Sequence, residues 1–174
     1  FGKDADAARY AGYAESFRSA WCAAFLREDG TTVCGTQTSY ALALAFGIIP
    51  EDLRAASAAQ LAMNIADHGW KLTTGFMGVS FLLPVLTEYG YTDVAYKMLE
   101  QEAYPSWIYP ILQGATTIWE RWNSYTVESG FGDAGMNSFN HYSYGSVMEW
   151  VYSTLLGISD DGTTSAYRHF VLKP

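Results

Sequence analysis

YPSWIYPILQGATTIWERWNSYTVESGFGDAGMNSFNHYSYGSVMEWVY, residues 104–152, holds four of the chain's six tryptophans and six of its thirteen tyrosines. One carboxylate, Glu120, lies between Trp119 and Trp122, and His141 follows within Asn137-Ser138-Phe139-Asn140-His141-Tyr142. Aromatic faces, a well-placed acid, a histidine and short amides form a composition suited to a sugar: rings cover the apolar C–H face of a pyranose and polar groups hold its hydroxyls. Proline and glycine punctuate the stretch, which predicts short helices near 105–112 and 117–123. A longer helix is expected over 138–156, with Phe139, Tyr142, Val147, Trp150, Val151 and Leu155 on one stripe.

Upstream of this stretch the pattern is helical throughout. Tyr10, Ala14, Phe17, Trp21 and Phe25 recur at helical steps and predict an amphipathic helix over 4–26, ended by Asp29-Gly30. The nearly all-apolar run 38–46 predicts a buried helix closed by Gly47. Pro50 opens another, with Leu53, Leu61 and Ile65 on one face, to about Asp67. A loop over 70–77 leads to a helix at 79–88, broken by Pro84 near its first turn. Gly90 then separates a helix at 92–102, with Thr92 as its expected N-cap. At the end the period changes, and Ala166 to Leu172 reads as a β-strand. No repeat of fixed length is visible, yet helix, short loop, helix, long loop recurs, which is the plan of a helical toroid or solenoid.

Composition excludes several function classes. A chain of 174 residues with 49% apolar and 16% charged residues is one globular domain's worth. The net charge is −8 and the basic residues are scattered singly, which argues against nucleic acid and anionic membrane surfaces. No apolar run reaches the ~18 residues of a membrane span. Cys22 and Cys34 make no disulfide framework, and Cys22 reads as a buried helix residue; a single bridge between them stays open. The chain opens directly into a helical pattern and stops just after a strand-like run, so it reads as a piece of a longer protein. Its compartment, cytoplasmic or periplasmic or secreted, is not written in it.

Candidate chemistry narrows to two residues. A helical Glu is ordinarily solvated, but Thr116-Thr117-Ile118-Trp119-Glu120-Arg121-Trp122 is too apolar for a solvated face, which favours a cleft. His141 ordinarily would be a satisfied polar residue at a helix start; Ser138 and Asn140 beside it make a hydroxyl-binding cluster the alternative. No metal is expected, because no second His lies at helical spacing and no Cys or Asp cluster is near. No cofactor is expected either. Gly130-Phe131-Gly132-Asp133-Ala134-Gly135 matches G-x-G-x-x-G, yet no βαβ unit surrounds it, so it reads as a turn carrying Asp133 to a helix start. Asp160-Asp161-Gly162 reads as a turn rather than a calcium loop.

These residues also carry a resemblance. Gly35-Thr36-Gln37-Thr38, Leu72-Thr73-Thr74-Gly75-Phe76, Tyr104-Pro105-Ser106-Trp107, Gly114 to Trp122, Gly135 to Tyr142 and Tyr167-Arg168-His169-Phe170 occur in an order that resembles the bacterial α-L-rhamnosidases of glycoside hydrolase family 78. The resemblance implies an all-α fold: residues 1–160 as the C-terminal half of an (α/α)6 toroid, a six-hairpin glycosidase, and 161–174 as the start of a C-terminal β-sandwich. It implies hydrolysis of terminal α-L-rhamnose with inversion, acting on rhamnose-containing glycosides or polysaccharides. Glu120 matches the family's general base and His141 its rhamnose-binding histidine. Trp119, Trp107, Asn140 and Thr74 look like cleft wall. The family's general acid lies in an acidic, Trp-rich motif that this chain lacks. The acid is therefore expected upstream, the partner is the remainder of its own catalytic domain, and the segment alone is expected to be inactive. Two other readings stay open: a non-catalytic carbohydrate-binding helical module, and a six-hairpin glycosidase for another sugar.

Overall fold

A computed structural model describes residues 2–173; Phe1 and Pro174, the outer limits of the two expected segments, lie outside the described residues. The chain is mostly helical, with two small antiparallel hairpins.

Helix α1 spans Asp4–Phe25, with Asp4 and Asp6 in its first turn, where carboxylates complement the helix dipole. Its apolar stripe faces outward. Tyr10, Tyr13 and Phe17 are each about 60% exposed, and only Trp21, near the C-terminal end, packs partly against the core. The sequence pattern is that of a core-facing helix, and no described element covers it. Cys22 on this helix is half-buried and donates its S–H to the Ile48 carbonyl at 3.4 Å. Burial pushes its thiol pKa up. It is a free cysteine, as is the exposed Cys34.

The core is built by the next four helices. Helix α2, Gln37–Ala45, begins with a capping box: the Thr36 hydroxyl accepts from the Ser39 N–H and the Ser39 hydroxyl accepts from the Thr36 N–H, each at 3.1 Å. Thr36→Ala removes one half of this exchange and is expected to cost about 1 kcal/mol, read as a lowered urea midpoint of the full-length protein. Helix α3, Glu51–Asp67, follows Pro50. Its residues Leu61 and Ile65 pack with Ala41 and Leu44 of α2 in one fully buried cluster.

Helix α4, Phe76–Glu88, starts three residues earlier than expected and runs through Pro84 without breaking. A proline inside a helix removes one hydrogen bond and costs about 3 kcal/mol. Leu82, Leu83, Val85 and Leu86 around it are all at most 2% exposed, and their burial offsets that cost. Helix α5, Thr92–Leu99, places Val94, Ala95 and Met98 in the same core. Its cap position is Tyr91, not Thr92, and carries no side-chain hydrogen bond. The helix ends at Leu99, before the expected 102.

Beyond α5, expectation and structure part more widely. Helix α6 is a single short piece, Ile108–Leu112. No helix forms at 117–123. Hairpin β1–β2 pairs Tyr125–Thr126 with Gly130–Phe131, so the glycine-rich run opens as a strand, and Asp133 turns back on the Gly135 N–H at 2.9 Å instead of starting a helix. The last helix begins at Ser143 and changes pitch: a 3₁₀ turn at Ser143–Ser146, α7 at Val147–Trp150 and a π turn at Val151–Leu155. Residues 138–142 lie outside it. Strand β3, Ile158–Asp160, pairs with β4, Phe170–Leu172, across the 160/161 boundary. The expected strand is shorter by four residues at its start, where Ala166 and Tyr167 take positive φ. Asp160-Asp161-Gly162 is a turn: Asp160 accepts from the Gly162 N–H, and Asp161 from the Thr163 N–H and hydroxyl.

Candidate active site

Two segments distant in sequence are sewn together around Glu120. The Glu120 N–H donates to the Ser138 carbonyl at 2.9 Å, the His141 N–H donates to the Ile118 carbonyl at 2.8 Å, and the Thr117 hydroxyl donates to the Phe139 carbonyl. The Ser138 N–H donates to Glu120 Oε2 at 2.7 Å. Among the described residues Glu120 Oε1 takes no hydrogen bond. The segment carrying Glu120 is thus irregular backbone locked by a partner strand of chain. A turn follows, closed by buried Ser124: its hydroxyl accepts from the Arg121 N–H, and its carbonyl accepts from the Gly132 N–H and the Asn137 side-chain amide.

His141 precedes the final helix. Its ring lies parallel to Phe76, with centroids 4.9 Å apart, and to Tyr142, at 5.2 Å. Nδ1 accepts from the Ser143 N–H at 3.3 Å. An accepting Nδ1 places the proton of the neutral ring on Nε2, which is then a donor.

Thr74 is buried and held from two sides. Its hydroxyl shares a hydrogen bond with the Thr38 hydroxyl at 2.8 Å, and its carbonyl accepts from the Trp122 indole N–H at 2.8 Å. The loop before it is fixed by fully buried Gln37, whose amide donates to the Lys71 carbonyl and accepts from the Thr73 N–H, both at 2.9 Å. Gly78 is required here, because a Cβ would land on the Thr74 hydroxyl and press on Thr38.

The tryptophans are less open than a stacking platform would be. Trp107 and Trp119 are 9% and 7% exposed. The Trp107 indole N–H donates to the Tyr144 carbonyl at 2.9 Å, and Trp119 meets the edges of Tyr125 and Phe139. Together with Trp122 and Tyr144 they line an apolar cavity of about 270 Å³, and neither Glu120 nor His141 is among its walls. Asn140 is exposed, and its N–H donates to the Ser138 hydroxyl.

Tyr144 joins these parts. Its ring stacks on Trp122 at 3.7 Å and meets the Phe76 ring at 5.1 Å. Burial pushes its phenol pKa up, the Arg121 guanidinium opposes that, and the Glu120 carboxylate adds to it. The phenol is therefore a neutral group within the electrostatic reach of Glu120. Tyr144 and the two backbone donors, Ser138 N–H and Ser143 N–H, were not singled out by sequence, and Phe76 entered only as the end of the stretch Leu72 to Phe76, with no role of its own. Backbone donors have no side-chain signature, and Phe76 sits in a loop-to-helix junction without periodicity. Among the described residues no group of three or more His, Cys, Asp or Glu side chains could hold a metal ion.

Comparison with known proteins places the chain. Residues 1–155 match a family described as the bacterial alpha-L-rhamnosidase 6 hairpin glycosidase domain. An alpha-L-rhamnosidase of Streptomyces avermitilis is 46% identical over 169 residues, covering 97% of this chain and 16% of that protein. One from Alteromonas sp. is 44% identical over 159 residues, covering 90% of this chain and 17% of that protein. The crystal structure of the Streptomyces avermitilis alpha-L-rhamnosidase complexed with L-rhamnose superposes with a TM-score of 0.90 at 45% identity, over 97% of this chain and 16% of that one. Native alfa-L-rhamnosidase from Aspergillus terreus gives 0.84 at 35% identity, over 91% and 18%. The chain thus spans about one sixth of the length of the relatives it matches. On this match and these identities, the chain belongs to the bacterial α-L-rhamnosidase six-hairpin glycosidase family.

Proposed function

We propose that the protein containing this segment hydrolyses terminal α-L-rhamnosides with inversion, and that Glu120 is its general base. The observation that carries the reading is the pinned carboxylate: Ser138 N–H holds Oε2 at 2.7 Å on the segment cross-linked to that of His141. One oxygen is fixed and the other is left for a water molecule. Oε1 takes a proton from that water as its oxygen bonds to the anomeric carbon, opposite the departing group. The anomeric C–O bond breaks, and its oxygen receives a proton from a carboxylic acid in the part of the catalytic domain preceding this segment. Inverting enzymes keep the two carboxyls ~6.5–9.5 Å apart to admit the water.

In this reading His141 donates Nε2–H to a rhamnose hydroxyl, and Asn140 and Thr74 belong to the same wall. Trp107 and Trp119, being buried, serve that wall through the segments they hold. The helices form the C-terminal half of an (α/α)6 toroid over residues 1–160, whose remaining helices cover the exposed face of α1. The segment 161–174 leads into a C-terminal β-sandwich. Rhamnose-containing glycosides or polysaccharides are the substrates.

The direct test is the anomeric form of the first product. The full-length protein acting on an aryl α-L-rhamnoside should release β-L-rhamnose first, seen by proton NMR before mutarotation. Initial α-L-rhamnose would mean retention and would remove the water-activating role. Hydrolysis of another aryl glycoside in preference to the rhamnoside would remove the substrate assignment.

A further inference from the structure

The imidazole of His141 is attached to a rigid frame through one ring. Phe76 stacks on it with planes 9° apart. Phe76 itself opens α4 and meets the Tyr144 ring at 63°. Tyr144 is buried and stacked on Trp122, and the Trp122 indole N–H returns to the Thr74 carbonyl, two residues before Phe76. Thr74, Trp122, Tyr144 and Phe76 therefore close a circuit of contacts whose outward member bears on His141. Tyr142, the other ring parallel to the imidazole, is 86% exposed and belongs to no such circuit.

Orientation matters here because the ring torsion of a histidine is broad, not three-fold staggered. The Ser143 N–H at 3.3 Å restrains one atom, Nδ1, and so selects the tautomer. It does not set the plane in which Nε2–H points. An aromatic face sets that plane without competing for either nitrogen, which a polar neighbour would do.

We propose that Phe76 is a positioning residue for His141: its ring fixes the imidazole plane so that Nε2–H meets a hydroxyl of the bound sugar. The proposal rests on the reading of His141 as a rhamnose-binding residue. Phe76 acts through the imidazole and need not touch the substrate. Loss of the ring therefore matters only while the imidazole is present.

A double-mutant cycle in the full-length protein tests it, with steady-state hydrolysis of an aryl α-L-rhamnoside as the readout. A misplacement of a positioned group by 1 Å can cost on the order of 100-fold; partial freedom of one ring should cost less. Phe76→Leu is expected to lower kcat/KM about tenfold, chiefly through KM, since a ground-state contact is weakened. Phe76→Tyr keeps the aromatic face and should restore activity to within about twofold of wild type. In a His141→Gln background, Phe76→Leu should change kcat/KM by less than about twofold, because coupled residues do not add. The thermal midpoint of each variant is read alongside; if leucine lowers it, Phe76→Met makes the same comparison. An equal loss from Phe76→Leu with and without His141, or a folded Phe76→Leu with undiminished kcat/KM, would overturn the proposal. Failure of the tyrosine to restore activity in a folded protein would do so too. Wild-type activity of His141→Gln would remove the reading of His141 and the positioning role with it, whereas an impaired His141→Gln with additive effects would remove the positioning role alone.

Discussion

Glu120→Gln in the full-length protein should lower kcat on an aryl α-L-rhamnoside by about 10²–10⁴-fold and leave KM little changed. Glutamine matches glutamate in shape, and its side-chain oxygen can still accept from the Ser138 N–H, so the segment at 118–120 keeps its partner. The amide cannot take a proton from water. What is lost is a contribution made only as the water attacks, and such losses appear in kcat. Leaving-group dependence separates this role from that of an acid. A general acid matters most when the departing oxygen is basic, so its loss is masked with a nitrophenyl leaving group and severe with an alkyl one. Loss of a base that activates water should be similar for both. Near-normal turnover of Glu120→Gln on either substrate would remove Glu120 from the base role, and a defect confined to the alkyl rhamnoside would make it an acid.

How far the fold could be read depended on where the punctuation came from. Helices α1, α2 and α3 were legible to within about one or two residues, because Asp29-Gly30, Gly47 and Pro50 act locally, and ends are uncertain by that much in any case. Pro84 misled because the rule it obeys is local while the apolar residues around it are packed by α2 and α5. The helix expected at 117–123 failed for a related reason. Thr117, Ile118 and Glu120 give their backbone groups or hydroxyl to 138–141, a distant segment, and that pairing replaces helical bonds for both stretches. The same pairing delayed the final helix to Ser143. The extent of α1 followed from its periodicity, but its stripe is exposed at Tyr10, Tyr13 and Phe17, because no described element packs against it. At the site, the apolar company of Glu120 and the amides near His141 were visible in composition. The tryptophans were visible too, but their burial was not: Trp107 and Trp119 fill space between segments, and a composition rich in rings does not say which rings remain open.

Trp150→Ala should be among the most destabilising single substitutions in this segment, costing about 3–5 kcal/mol. The side chain is 1% exposed, and the Tyr96 ring meets it edge-on at 5.6 Å. It anchors α7, the one α-helical turn of the last helix, to the core between the less regular 3₁₀ and π turns. Its indole N–H donates to the Thr87 hydroxyl of α4 at 2.8 Å, so truncation leaves both a cavity and a hydroxyl without its partner. Trp150→Phe divides the two effects: it keeps most of the buried ring and removes the donor, and its cost should be nearer 1–2 kcal/mol, about that of an unmade hydrogen bond plus a small void. The measurement is the urea midpoint of the first unfolding transition of the full-length protein, followed by far-ultraviolet circular dichroism, for wild type and both variants. Equal midpoints for Trp150→Phe and Trp150→Ala would assign the whole cost to the hydrogen bond. An alanine variant as stable as wild type would mean that α7 is held to the core by something other than Trp150.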